Sequence, residues 1–355
     1  MSDVNHKNGV NTIREILSEP QTWKACLSEL QIGEYVSFLK DPSLKGEQVF
    51  VGCGSSYYLA QVAAMTWSLL IKESVRALPA SEILLFPELL KLPCKPVLIS
   101  RSGHTTEMIE VGKFFQERKI PALGISCGAA TPIEKVSTKT IVLRAADEKS
   151  TVMTRSFTSM LLALQSLAAD YAKQSSFITG LKSLADQLDP KMTEIQSTVE
   201  SLVNDHQFAD YVFLGQGPFF GVAQEAMLKV KEMSCSYAQA FHTLEFRHGP
   251  KAIVSPETLV TFFISESGFS EEVPVLQEIK ELGAITLVVA NSSTPAMRKA
   301  ADYLIELNFK APEPAMPAPM VVPGQFLGYF TAMQKGFDPD SPRNLTRVVM
   351  LDGIR

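Results

Sequence analysis

Few things in this sequence point to a nucleic acid, a membrane, a metal or a disulfide scaffold. No long run of lysine and arginine occurs, and the balance of 33 basic against 38 acidic residues gives a net charge of −5. Nucleic acid is therefore not an expected partner. No window holds the 18 or so uninterrupted apolar residues that a membrane-spanning helix needs. The opening MSDVNHKNGVNTI is polar and lacks the apolar core of a secretory signal. Cysteine is sparse: Cys26, Cys53, Cys94, Cys127 and Cys235 are odd in number and scattered, which fits reduced thiols in a cytoplasmic protein. They form no CxxC, and the five histidines form no HExxH, so a metal site has little support and no cofactor is called for. With 46% hydrophobic and 20% charged residues over 355 positions, the chain is globular and long enough for two domains.

Alternating strand, turn and helix patterns follow a polar start. Helical spacing of apolar residues marks Thr12–Leu17, Trp23–Leu30 and Glu34–Leu39, with a break expected around Pro20. Gln48–Gly52 (QVFVG) reads as a short buried strand. It runs through Cys53-Gly54-Ser55-Ser56 into an apolar helix, Tyr57–Lys72. Such a turn presents backbone N–H groups, hydroxyls and a positive helix end, which together suit a phosphate. A second unit repeats the design. The strand Lys95–Ser100 ends in Arg101-Ser102-Gly103-His104-Thr105-Thr106, and the helix Glu107–Arg118 follows. Strands Pro121–Ser126 and Thr140–Arg144, the segment TVMTRSFT at 151–158, and helices Ser159–Lys173 and Lys182–Val203 complete the first half. The pattern implies an α/β protein with a parallel sheet covered by helices on both faces. Ligands then bind beyond the carboxyl ends of the strands.

The second half echoes the first. YVFLGQG at 211–217 matches QVFVGCG at 48–54, LVTFFISESG at 259–268 matches PVLISRSG at 96–103, and ITLVVAN at 285–291 matches the strand from Pro121. The interval from glycine turn to serine turn is 48 residues in one half (Gly52 to Ser100) and 50 in the other (Gly215 to Ser265). An internal duplication of a doubly wound domain follows. The copies differ where ligands would bind: Arg101 in the first is Glu266 in the second, and a carboxylate there would repel phosphate. The first half is thus the better anion site.

The second half carries instead QEAMLKVKEMSCSYAQAFHTLEFRHGP, residues 224–250. It begins as a helix, with no glycine or proline between Val222 and Gln239. Glu225, Lys229 and Glu232 share one helical face. A surface Glu–Lys pair would be unremarkable there; followed by His248 in a Gly-Pro turn, the same residues suit proton transfer. The Pro-rich stretch 311–323 is expected to be an ordered loop, with a helix Gln325–Lys335 after it.

These motifs, in this order, resemble the double SIS-domain sugar-phosphate isomerase family, in particular the isomerase half of glucosamine-6-phosphate synthase. TIREILSEP at 12–20 is similar to its opening, GCGSSY at 52–57, SRSGHTTE at 100–107 and TVMTRSFT at 151–158 to its three sugar-phosphate loops, EAMLKVKE and EFRHGP to its catalytic segment, and PDSPRNLTRVV at 339–349 to its tail. The resemblance implies two tandem doubly wound SIS domains, at 46–190 and 191–337, between an N-terminal helical segment (1–45) and a C-terminal tail (338–355). It implies that Ser56, Ser100, Arg101, Ser102 and Thr105 hold a sugar phosphate. Ser55 and the segment containing Thr154 would line the sugar. Glu232 would move a proton between C1 and C2, Lys229 would assist, and His248 would open the sugar ring from a partner subunit, hence a homodimer. Two departures stand out. No glutaminase domain with a nucleophilic cysteine precedes these motifs. Arg347 stands where the family has a lysine that forms an imine with the sugar, and a guanidinium cannot do so, although Arg347 can still bind an oxyanion. Arg101 also replaces an amide residue and is expected to strengthen phosphate binding.

The implied activity is an aminosugar-phosphate deaminase/isomerase, for example glucosamine 6-phosphate to fructose 6-phosphate plus ammonia. A fructosamine-6-phosphate deglycase and a simple ketose/aldose phosphate isomerase are the alternatives within the same chemistry. A sugar-phosphate sensor without catalysis is the alternative outside it. The retained Glu232, Lys229 and His248 weigh against a sensor, and the lost imine lysine weighs for one.

Overall fold

Among the described residues, ten short strands fall into two five-stranded sheets, each wholly parallel. The computed structural model describes residues 8–349. In the first sheet β1 (Gln48–Gly52), β2 (Val75–Pro79), β3 (Lys95–Ile99), β4 (Leu123–Ser126) and β5 (Lys139–Val142) are ordered β2-β1-β3-β4-β5. In the second, β6 (Asp210–Gly215), β7 (Tyr237–His242), β8 (Thr258–Ile264), β9 (Ile285–Ala290) and β10 (Tyr303–Glu306) are ordered β7-β6-β8-β9-β10. The two orders are the same design, so the duplication seen in the sequence is a duplication of topology. Both sheets reverse direction of growth between their first and third strands, the switch point where ligands of doubly wound folds gather.

The central strands read as continuous apolar runs because helices cover both faces. β1 and β8 are buried along their whole length, while the edge strand β2 is half-buried throughout. Val49, Val51, Leu98, Met108, Val111 and Phe115 form much of the core on one side of the first sheet. Val212, Val260, Phe262, Leu276, Ile279 and Val288 are their counterparts in the second. The helix Arg155–Tyr171 is buried continuously from Ser156 to Ala169, as expected of a helix that is apolar nearly all round.

The chain divides into two compact units that do not follow its linear halves. One comprises residues 21–147, 155–183 and 346–349 around the first sheet; the other comprises 8–20, 148–154 and 184–345 around the second. The N-terminal helix Val10–Leu17 belongs to the second-sheet unit. There Asp340 accepts hydrogen bonds from Asn11 N (2.9 Å), Thr12 N (2.7 Å) and Thr12 Oγ1 (2.7 Å), and Asp338 accepts from Gly9 N (2.8 Å).

Four expectations need correction. The helix expected over Lys182–Val203 is two helices, Ser175–Leu188 and Met192–Asp205, parted by a 3-10 turn at Asp189–Lys191, because Pro190 cannot continue an α-helix. The first break near the N-terminus falls at Ser18, and Pro20 lies in the first turn of the helix Glu19–Glu29, where its missing N–H costs nothing. The helix that opens the 224–250 stretch ends at Ser234. Cys235 takes a left-handed conformation at its end (φ 53°), and Tyr237–His242 is the edge strand β7. The Pro-rich stretch is largely helical: Pro317–Gln334 is one helix, with Pro317 and Pro319 in its first turn and Pro323 inside it. No helix among the described residues is long and apolar enough to cross a membrane.

Candidate active site

The phosphate-suited turns lie at the carboxyl ends of β1 and β3, adjacent strands at the switch point of the first sheet. After β1 the chain must turn into the helix Ser55–Ile71 within two residues. A Cβ on Gly52 would lie 2.3 Å from the Ser56 carbonyl oxygen, and Gly54 has φ 55° and ψ −128°. Only glycine fits either position without strain. Gly215 and Gly217 repeat both features before the helix Pro218–Ser234. Ser55 and Ser56 open the first of these helices and are buried in its first turn.

After β3, Ser100 is buried and its Oγ accepts from Gly103 N (3.1 Å) and lies 3.3 Å from Thr105 Oγ1. Ser102 Oγ accepts from His104 N (3.1 Å), and His104 Nδ1 stands 2.7 Å from the Ser102 carbonyl. Thr105 immediately precedes the helix Thr106–Glu117. Thus Ser55, Ser56, Ser100, Ser102 and Thr105 share one end of one sheet. Arg101 is at the same place, yet its guanidinium donates to the carbonyl of Arg347 (2.9 Å), and Arg347 Nη2 donates to Asp147 Oδ1 (2.7 Å). Arg101 therefore fastens the tail beside the second serine turn, a contact that no spacing in the sequence signals. Cys53 lies in the first turn, and burial pushes its thiol up to about 12. It is a poor nucleophile.

The second-sheet unit has the same turns filled by its own carboxylates. Glu272 accepts from Ser265 Oγ (2.6 Å) and Thr243 Oγ1 (2.8 Å), Glu313 accepts from Ser267 N (3.0 Å), and Glu266 accepts from Ser292 Oγ (2.8 Å). Burial holds the Glu272 carboxyl above the usual carboxylate range. Glu266 is thus one of three glutamates that make this copy unsuited to an anion.

In place of an anion cradle this unit holds a buried ionic cluster on the helix Pro218–Ser234. Lys229 Nζ is 2.6 Å from Glu232 Oε2 and 3.2 Å from Glu225 Oε1; the Lys229 and Glu225 side chains are 0% exposed and Glu232 is 21% exposed. Burial opposes the charge of Lys229, but the carboxylates of Glu225 and then Glu232 outweigh it and raise its pKa above that of an ordinary lysine. The surface-helix reading is excluded by this burial. Glu232 is fixed by an ammonium on one side and reaches solvent, a suitable arrangement for a carboxylate that takes a proton from one carbon and returns it to the next. His248 lies in the turn after the 3-10 segment Glu245–Arg247 and is exposed. His242, at the end of β7, stacks on Phe220 with ring centroids 3.7 Å apart, and burial lowers its pKa. It has a packing role.

The segment 148–154 belongs to the same unit, and its Val152 packs with Met233 of this helix and Ala332. Thr154 is fully buried and gives both its N–H (2.6 Å) and its hydroxyl (2.7 Å) to the Glu148 carboxylate. Glu15 accepts from Lys149 N (2.5 Å) and Ser150 N (3.3 Å). Two buried glutamates hold this loop through its backbone N–H groups and the hydroxyls of Ser150 and Thr154.

Family models of the SIS domain match this chain twice, over residues 45–169 and 209–327. The chain belongs to the SIS-domain family. Among curated relatives, the glutamine–fructose-6-phosphate aminotransferase (isomerizing) of Pyrobaculum aerophilum is 27% identical over 96% of this chain and 57% of its own length. The enzyme of the same name from Chlamydia pneumoniae is 29% identical over 99% of this chain and 60% of its own. The SIS chain therefore spans less than two thirds of these relatives. Among solved structures, the glucosamine-6-phosphate deaminase of Thermotoga maritima is 29% identical, with a TM-score of 0.79, covering 96% of this chain and 100% of that one. The tagatose-6-phosphate ketose/aldose isomerase of Escherichia coli shares the fold, with a TM-score of 0.82 at 20% identity over 96% of this chain and 98% of the other.

Proposed function

We propose that this SIS protein is a sugar-phosphate isomerase that acts as an aminosugar-phosphate deaminase, converting glucosamine 6-phosphate to fructose 6-phosphate and ammonia. The observation that carries this reading is the fully buried Lys229 paired with Glu225 and the partly exposed Glu232. An ionic cluster costs several kcal/mol of desolvation per ion, a cost without purpose in a module that only senses its ligand. The 29% identity to a glucosamine-6-phosphate deaminase, over the whole of that chain, supports the direction of the reaction.

In this reading Ser56, Ser100, Ser102 and Thr105 hold the phosphate, Ser55 lines the sugar, and Arg101 holds the tail beside them. His248 opens the ring to the free aldehyde. Glu232 removes the proton from C2 and delivers it to C1, while the amine nitrogen gives up one proton and the C1 oxygen gains one, so the C1 carbonyl becomes a hydroxyl and the C2 amine an imine. Water adds to the imine carbon and ammonia leaves, giving the ketose. Lys229 holds Glu232 and favours negative charge developing nearby. Arg347 takes no covalent part. The protein works as a homodimer, with His248 supplied across the interface; its exposure on a single chain supports this. The five free cysteines support a cytoplasmic setting.

The direct test incubates the protein with glucosamine 6-phosphate and measures ammonia together with fructose 6-phosphate by a coupled assay. Equal amounts of both products are expected. Absence of both, with the sugar phosphate still raising the melting temperature, would overturn the deaminase reading in favour of a different amine or of sensing.

A further inference from the structure

The turn that carries His248 has little packing of its own. It runs between two 3-10 turns, Glu245–Arg247 and Pro250–Ile253, through Gly249 at φ 124°, and none of the residues from Arg247 to Ile253 is buried. Backbone hydrogen bonds close it locally, from His248 N to the Glu245 carbonyl (3.0 Å) and from Ala252 N to the Gly249 carbonyl (3.0 Å), and one carboxylate ties it to a neighbouring helix. Arg247, immediately before His248, donates from Nε to Glu278 Oε2 (2.8 Å), and Lys251, three residues after His248, places its Nζ on Glu278 Oε1. The hydrogen bond from Lys251 first, and that from Arg247, hold the Glu278 carboxyl below its usual range against the effect of burial. Glu278 is itself rigidly placed. It lies on the helix Phe269–Glu281, whose Val275, Leu276 and Ile279 are buried in the core of the second sheet.

One exposed ion pair contributes little to stability. Two cations on either side of one residue, held by the two oxygens of one carboxylate, instead fix the path of the turn between them. We propose that Glu278 is a positioning residue for His248: it clamps the turn so that the imidazole is presented in one orientation for ring opening. This rests on the reading of His248 given above. Ring opening and proton transfer are separate steps, so a fault in the clamp slows only the first.

The test uses deuterium exchange at C1 of two ketoses in D2O, followed by NMR. Fructose 6-phosphate must open its furanose ring first. Its analogue 5-deoxyfructose 6-phosphate has no 5-hydroxyl, cannot close, and needs only the Glu232 step. Glu278→Gln, and independently Arg247→Gln with Lys251→Gln, are expected to slow exchange of fructose 6-phosphate by about ten- to a hundredfold, the scale of a small misplacement, and to leave the acyclic ketose unchanged. His248→Ala should give the same profile, Glu278→Asp should recover part of the loss, and Glu232→Gln should abolish exchange of both. Equal slowing of both ketoses in the clamp variants, or slowing of neither, would overturn the positioning role. If the unaltered protein exchanges neither ketose, the proposed function itself fails, and the role of Glu278 with it.

Discussion

Lys229 lies 2.6 Å from Glu232 and 3.2 Å from Glu225, an ammonium between two carboxylates on adjacent turns of one helix, with only Glu232 reaching solvent. The arrangement separates two duties. Glu225 neutralises the buried lysine, which leaves the lysine to hold Glu232 in place.

Removing the central charge therefore damages the fold as well as the chemistry. Lys229→Met leaves Glu225 buried without its cation and is expected to cost about 3–5 kcal/mol. The double variant Glu225→Gln/Lys229→Met should recover part of that loss. Urea unfolding of the three proteins checks this; a Lys229→Met variant as stable as the parent would contradict it. Because the lysine pKa is raised in the folded state, the stabilisation is complete below the pKa of an unfolded lysine. It is lost only as pH rises through the higher folded value, so neutral and mildly alkaline buffers should give the same result.

Glu272 follows the same sense in a lower pH window. Its folded pKa is raised, chiefly by burial, so its contribution is greatest below the ordinary carboxylate range and is lost as pH rises through the folded value. The difference in melting temperature between the parent and Glu272→Gln should shift in favour of the variant on going from mildly acidic to neutral buffer. A pH-independent difference would contradict the assignment.

The two serine turns should differ in what they bind. Ser100→Ala removes a hydroxyl from the end of β3 and should weaken binding of fructose 6-phosphate by roughly tenfold, the scale of one hydrogen bond. Ser265→Ala, at the turn already filled by Glu272, should leave affinity unchanged although it destabilises the protein. Titration calorimetry on both variants decides; equal losses would contradict the division of labour between the copies.

Much of this was legible in the sequence. The central strands β1, β3, β6, β8 and β9 announce themselves as apolar runs because both their faces are covered, and the glycine turns mark where each copy begins. The edge strands β2 and β7 do not. VRALP and YAQAFH are only half-buried, so neither shows an apolar run, and a cysteine in the left-handed region gives no sign that the helix before β7 has ended. Glu225, Lys229 and Glu232 could be placed on one face from their spacing, but their burial could not, since it depends on the helix Pro317–Gln334 packing against them from ninety residues away. Asp147 and Glu278 escaped notice for a related reason: each is defined by a partner in another segment, and a single glutamate or aspartate carries no motif.

Arg347 offers a check on covalent chemistry. A guanidinium forms no imine, and its Nη2 is engaged by Asp147 at 2.7 Å. Borohydride added during reaction with fructose 6-phosphate should leave the protein mass unchanged. A reduced sugar adduct would show that another lysine performs the covalent step.

In the proposed reaction Glu232 carries the proton between C2 and C1. Glucosamine 6-phosphate turned over in D2O, with products followed by NMR, tests it most directly. The parent protein should release ammonia and place deuterium at C1 in part of the fructose 6-phosphate, because Glu232 reaches solvent and some of the protons it carries exchange before delivery, while Glu232→Gln should still bind the sugar phosphate and give neither product. Deuterium incorporation by Glu232→Gln at the parent rate would contradict the account.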